Sequence, residues 1–220
     1  MTESADAYFE TRLSYDRKRD VLWKTLTESV FQSYVDREAT VVELGAGWCD
    51  FINNIRCRRR IAVDLWSGIE EQAAAGVEAH VSSADNLDFL ETDSVDLVFA
   101  SNLLEHLTHD EISALLKEAR RVLKPSGRIM LLQPNFRLCA KNYFDDYTHV
   151  SIWSDISMTA YLEANGWNVE RSEGRFLPLT VKSRLPVSST LIRAYLRSPI
   201  KPKAGQMLLV ASPAGPPALA

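Results

Sequence analysis

The 220-residue chain has no run approaching the roughly 18 consecutive apolar residues that a membrane span requires. Its N-terminus carries Glu3 and Asp6 and has no apolar core, so it does not read as a secretory signal, and a cytoplasmic protein is the expectation. Cysteine is scarce. Cys49, Cys57 and Cys139 form no C-x-x-C or Cys/His pattern, and their odd number argues against a disulfide framework. Each is expected to be a small buried hydrophobe. The four histidines, His80, His106, His109 and His149, show no metal-ligand spacing, so no metal is expected. No internal repeat is present, and the only low-complexity stretch is Pro213–Ala220, expected to be a disordered tail. The net charge of −4 speaks against a nucleic-acid partner. That average hides an absence: no acidic residue follows Glu173, while Arg175, Lys182, Arg184, Arg193, Arg197, Lys201 and Lys203 all lie beyond it.

What is present is a globular composition, long enough for one domain over residues 1–212. Asp16–Tyr34 reads as a helix, with Val21, Leu22, Leu26, Val30 and Phe31 near one face. Short apolar strands are expected at Thr40–Leu44, Ile61–Val63, Ala79–Ser82, Val95–Ala100 and Arg128–Leu132, the last entered through Pro125-Ser126-Gly127. A helix is expected between the first two strands, ending at Arg56, Arg58, Arg59 and Arg60, where cations suit a helix C-terminus. Ser67 with Glu70 and Thr108 with Glu111 have the spacing of capping boxes. After the second of these, Ile112, Leu115, Leu116, Ala119, Val122 and Leu123 recur at helical spacing. A further helix over Asp155–Asn165 stops at Gly166, and Trp167–Arg171 and Gln206–Ala211 read as late strands. Strands alternating with helices predict an α/β fold: a Rossmann-like open seven-stranded sheet, mostly parallel with an antiparallel last strand, and helices on both faces. Ligands of such sheets sit beyond the carboxyl ends of the strands.

Those ends carry the chemistry. In Glu43-Leu44-Gly45-Ala46-Gly47 two glycines let the backbone turn and approach a ligand closely, although strand-to-helix turns use glycine without any ligand as well. Asp64 ends the second strand, where a carboxylate can accept from both ribose hydroxyls; a solvated strand-end residue is the plainer alternative. Asp85 follows the third strand, as an acceptor for an adenine amino group or as an ordinary turn residue. A dinucleotide fingerprint would need a small residue at position 50. Asp50 stands there, and a carboxylate would repel a pyrophosphate.

Together with Val63-Asp64, Ala84-Asp85, the run Asp96–Leu107 and Arg121-Val122-Leu123-Lys124-Pro125-Ser126-Gly127, the segment resembles the class I S-adenosylmethionine-dependent methyltransferases, closely over Val41–Asn135. The resemblance implies S-adenosylmethionine as cofactor. It implies Gly45, Ala46 and Gly47 under the methionine part, with Glu43 orienting its ammonium. It implies Asp64 on the ribose, Leu65 against the adenine, Ala84 and Asp85 at the adenine edge, and Ser101 and Asn102 closing the methionine side. Many relatives have a third glycine where this chain has Cys49, which leaves the path of the loop open. The division expected is an N-terminal helical segment (1–39), a cofactor-binding core (40–135), acceptor loops with the last strands (136–212), and the tail (213–220).

The acceptor side is less determined. His149, within the aromatic and acidic stretch Tyr143–His149, is a candidate base, or a loop histidine that caps a helix or bonds backbone. His106 either faces the acceptor or serves the start of the following helix. The expected reaction is methyl transfer to a small-molecule or glycan acceptor, by preference O-methylation. The alternatives are N- or C-methylation of a natural product or lipid-linked acceptor, and a non-catalytic cofactor-binding module. Leu191, Ile192, Tyr195 and Leu196 with Arg193 and Arg197 suggest an amphipathic helix within Phe176–Lys203. It is read as a solvated insert or as the dock for an anionic acceptor or membrane surface.

Overall fold

Apolar runs that are buried on both faces should divide their side chains between two helical layers, and this is what the computed structural model has. It describes residue 16 and residues 18–178 and 187–215. The strands are β1 (Thr40–Leu44), β2 (Arg59–Asp64), β3 (Val77–Val81), β4 (Val95–Ser101), β5 (Leu123–Pro134), β6 (Trp167–Pro178) and β7 (Ala204–Pro213). They form one seven-stranded sheet in the order β3-β2-β1-β4-β5-β7-β6. The first five pair in parallel, and β7 runs antiparallel to both neighbours, as the sequence predicts.

The period of two sends Val42, Leu44, Val98 and Ala100 to one face and Val41, Leu97 and Phe99 to the other. On the first face α3 (His109–Val122) contributes Ile112, Leu115 and Ala119, and α5 (Asp155–Ala164) contributes Met158 and Leu162. On the second, α1 (Lys18–Ser29) lays Trp23 and Leu26 over the strands, and Phe51 stacks on Phe99 with ring centroids 4.0 Å apart. A short helix α2 (Ile69–Gln72), α4 (Phe136–Tyr143) and α6 (Ser189–Arg197) complete the helices described. Truncating a ring as enclosed as Phe99 costs about 3–5 kcal/mol in a typical core.

Several expectations are corrected. The first helix is α-helical only to Ser29 and continues as a 3-10 turn over Phe31–Tyr34. Residues after the glycine loop make a chain of turns, not a helix, so Arg59 and Arg60 cap nothing. They open β2, with Arg59 paired to Glu78 and Arg60 donating to the Ala75 carbonyl. The Ser67–Glu70 capping box does not form, and Gly68 precedes α2 without a side-chain cap. The Thr108–Glu111 box does form, with both reciprocal hydrogen bonds. Pro125-Ser126-Gly127 lies in an irregularity within β5: Val95 pairs Leu123 and Leu97 pairs Arg128, so the segment between bulges from the ladder. The described start of the expected tail is structured, because Pro213 pairs with Trp167 and Ala214 donates to the Gly166 carbonyl. Residues 216–220, and Lys182 and Arg184 of the basic stretch, lie outside the described residues. α4 occupies a segment read as loop; its cap is Asn135, whose side chain accepts from the Arg137 amide.

Candidate active site at the carboxyl edge of the sheet

Register brings the sequence candidates together. Leu44 pairs with both Val63 and Ala100, so Gly45, Asp64 and Ser101 emerge side by side where three parallel strands end. Asp64 pairs with Val81, which places Ala84 and Asp85 just beyond the same edge. The loop after β1 alternates into the left-handed region at Gly45 (φ +64°), Gly47 (φ +49°) and Cys49 (φ +57°). A side chain at Gly45 would set its Cβ 2.9 Å from a Leu103 methyl, so the loop and the β4 loop touch there without room for one. Cys49 keeps the backbone conformation that a third glycine would adopt, at the strain cost of a non-glycine residue with positive φ. The doubt about the loop's path is thereby resolved: its amide still closes on the Ala46 carbonyl at 2.7 Å.

Main-chain amides hold the carboxylates of this half. Asp64 accepts from Gly47 through one oxygen and from Trp66 through the other, each at 2.8 Å. The Leu65 amide is a third backbone partner, so about one of the carboxylate's four lone-pair positions stays open. Buried Glu43 accepts from the Ile52 amide at 2.9 Å, and burial pushes its carboxyl well above the usual range. Asp50 does not face the loop's ligand side as an unpaired charge. It is bound by Arg19 of α1, with Nε at 2.8 Å, so the repulsion expected of it is largely neutralised. Leu65 is 46% exposed at the end of β2, an apolar face left open at the edge. Asp85 accepts from the Ser83 hydroxyl, and Ala84 packs on the core. Ser101 and Asn102 are linked by a 3.0 Å hydrogen bond, and Gln206 of β7 donates to Asn102 at 2.8 Å.

Beyond Asn102 the β4 loop is pinned by buried Gln133, which accepts from the Leu103 and Leu104 amides at 3.1 and 3.3 Å and donates to Ala100. Leu104–His106 then form a 3-10 turn. The segment before Trp153 is zipped onto that turn: Val150 and Ser151 amides donate to the Glu105 carbonyl, and the Ser151 hydroxyl donates to that of Leu104. This brings His149 to His106, with ring centroids 4.9 Å apart. Glu105, His106 and His149 each offer a ligand atom, and these atoms lie within 4.8 Å of one another. Sequence spacing gave no hint of such a group, because the third member arrives from beyond β5.

Burial governs this half. It pushes the Glu105 carboxyl up to about 8, with nearby Asp146 adding to the rise. It pulls the His106 imidazole down to about 4, with His149 adding to the fall, and it lowers His149 against the opposing pull of Asp146. Both rings are therefore neutral near pH 7. Thr148 donates its hydroxyl to Asp146 at 2.7 Å, so at 2.8 Å from His106 Nδ1 it accepts, and the His106 lone pair resides on Nε2. His149 is held by the Tyr143 carbonyl, as one of the plainer readings foresaw, but its buried Nδ1 has no partner. Glu105 Oε2 is likewise orphaned. Such a buried unmet acceptor costs about 1–3 kcal/mol. Glu105, Thr148 and Gln133 were not singled out from the sequence. His80 stacks on Phe89 and His109 meets Trp153 edge-on, away from this cluster.

Residues 42–131 match a family model described as a methyltransferase domain, a stretch that includes the glycine loop, Asp64, Asp85 and the β4 loop through His106 but not His149. No curated protein matches the chain. Among solved structures, the chain is similar to a SAM dependent methyltransferase from Archaeoglobus fulgidus, at 20% identity and TM-score 0.68, over 94% of this chain and 99% of that one. It is similar to a SAM-dependent methyltransferase, possible histamine N-methyltransferase, from Thermotoga maritima, at 18% identity and TM-score 0.64, over 96% and 95% of the two chains. It is also similar to DhpI in its SAH complex, at 15% identity and TM-score 0.59, over 98% and 94%. Likenesses at these identities establish the fold.

Proposed function

We propose that this S-adenosylmethionine-dependent methyltransferase methylates a hydroxyl group of a small-molecule or glycan acceptor, bound beside the Glu105–His106–His149 cluster. The observation that carries the reading is the continuity of one loop. Ser101 and Asn102 sit beside the glycine loop, and the cluster begins three residues further on.

The residues of the first half fit the cofactor. The Gly45–Leu103 contact leaves no space for a side chain, so the loop presents bare backbone. Asp64 retains an open lone pair for a ribose hydroxyl, Leu65 offers an apolar face for a base, and Asp85 stands at that base's edge. Glu43 acts through the loop it braces at Ile52, which sets the position of Gly45 and Gly47. When bound, the cofactor supplies an electrophilic methyl group on a sulfonium.

A hydroxyl is a weak nucleophile until its proton is removed or its pKa is lowered. His149 Nδ1 and His106 Nε2 carry lone pairs near neutral pH and are the groups proposed to take up that proton. An amine would need only to be deprotonated, so N-methylation, or C-methylation of an acidic carbon, is the second reading. The connection between β6 and β7 leaves and re-enters the sheet at this same edge, since Pro178 pairs Ala204 and Gln206 reaches Asn102. Exposed Arg175 near the end of β6, with Arg197 and Lys203 of that connection, is proposed to meet an anionic acceptor, or an anionic membrane surface that holds one.

The test is incubation of the full chain with methyl-labelled S-adenosylmethionine and a panel of hydroxylated, amine and carbon acceptors, read by mass spectrometry. An O-methyl product that disappears in His149→Ala supports the reading. An N- or C-methyl product overturns the hydroxyl preference, and tight cofactor binding with no transfer to any acceptor favours a binding module.

A further inference from the structure

We propose that Glu105, His106 and His149 form a binding site for a single divalent transition-metal cation at the acceptor side of the edge. The proposal deepens the reading above and rests on it for the cation's use, though not for its binding.

Three independent features point to it. First, the donor set is right in kind. Two imidazoles and one carboxylate suit Zn²⁺, Mn²⁺, Fe²⁺ or Co²⁺ over Mg²⁺ or Ca²⁺, which prefer all-oxygen cages. Ligands about 2.1 Å from a common ion lie about 3–4 Å apart, and this group already lies within 4.8 Å. Second, two of the three residues carry an unmet buried atom able to ligate a metal. Among the described residues the buried side-chain atoms without a partner are Thr27 Oγ1, Glu105 Oε2 and His149 Nδ1, and two of these three meet here. Glu105 is 2% exposed, and its backbone turn holds it in place through Val150 and Ser151.

Third, each imidazole is oriented through its other nitrogen. His106 Nδ1 donates to Thr148, which donates to Asp146, and His149 is held by the Tyr143 carbonyl. Outer contacts of this kind fix the tautomer and ring angle of metal-ligating histidines. His106 and His149 are both partly exposed, so the site has solvent access on one side, where an acceptor hydroxyl can complete the coordination. A cation there would occupy the lone pairs of both imidazoles, so it would activate that hydroxyl by lowering its pKa, in place of the proton uptake proposed for the metal-free rings.

The experiment uses the full chain after dialysis against EDTA, titrated with Co²⁺ by visible absorption and with Zn²⁺ by calorimetry. One Co²⁺ per chain is expected, with ligand-field bands of a nitrogen–oxygen site. Glu105→Gln and His149→Gln are expected to weaken binding at least 100-fold, and Thr148→Val about 10-fold. S-adenosylhomocysteine affinity, measured on every variant, should stay within twofold and shows that the fold persists. Absence of stoichiometric Co²⁺ binding in a chain that binds S-adenosylhomocysteine overturns the site. So does Co²⁺ binding that is indifferent to Glu105→Gln. A chain that binds Co²⁺ at this site yet methylates no hydroxylated acceptor leaves the site standing and overturns the proposed function instead.

Discussion

The β1–β2 half of the carboxyl edge and the β4–β5 half solve opposite problems. In the first, Glu43 and Asp64 are fixed by main-chain amides of the loops they serve. In the second, Glu105 Oε2 and His149 Nδ1 are buried with nothing to bond. A half whose polar groups are already met is preorganised and gains from its ligand through its remaining lone pairs. A half that carries unmet acceptors is held under strain by the surrounding fold and has the most to gain from a bound partner. On the proposed function, the difference separates the part of the edge that would hold the cofactor from the part that would select the acceptor.

The strongest challenge to this contrast is Asp64→Ala. Removing the carboxylate strips backbone amides of their acceptor as well as the proposed ribose contact. Cofactor affinity should fall about 100-fold, equivalent to about 2.7 kcal/mol, by calorimetry. Unchanged affinity would mean that the ribose lies elsewhere. Next comes the left-handed residue of the loop. Cys49→Val should lower unfolding stability by about 2 kcal/mol and weaken the cofactor with it, because a β-branched side chain resists φ near +57°. Cys49→Gly should remain within about 1 kcal/mol of the parent in the same denaturant titration, since relief of strain offsets added unfolded-state freedom.

On the other half, Thr148→Val cuts the link from Asp146 to His106. It should lower kcat about 10-fold while leaving the KM for S-adenosylmethionine unchanged, and a change in that KM instead would tie the two halves together. The smallest effect belongs to α6. Its Ile192, Tyr195 and Leu196 pack on the core and its Arg193 pairs with Glu28 at 3.1 Å, so Arg193→Glu should cost less than about 1 kcal/mol. Reversal of Arg197 and Lys203 together should raise acceptor KM or weaken binding to anionic liposomes, and no change in either measurement would sink the docking role of this stretch.

How much of this was legible in advance varies element by element, for physical reasons. α3 was readable because its cap and its apolar spacing are local. The loop after β1 misled, because Phe51 and Ile52 have the look of a helix start yet are drawn as turns onto Phe31 and Phe99. α4 was missed because its amphipathic stretch is short and sits among turn-forming aromatic and acidic residues. Asp50 was seen as a ligand-facing charge because nothing local announces that Arg19, 31 residues earlier, closes on it.

By itself the sequence determined the alternation of strands and helices and the order in which glycine, aspartate and serine reach the strand ends, where the cofactor is proposed to bind. Those signals are local in period and spacing, and parallel register does the rest. Only the tertiary structure decided the acceptor half. His149 reaches Glu105 and His106 through carbonyl contacts made across the β5 crossover, and no spacing along the chain encodes a meeting that depends on how two distant loops are zipped together.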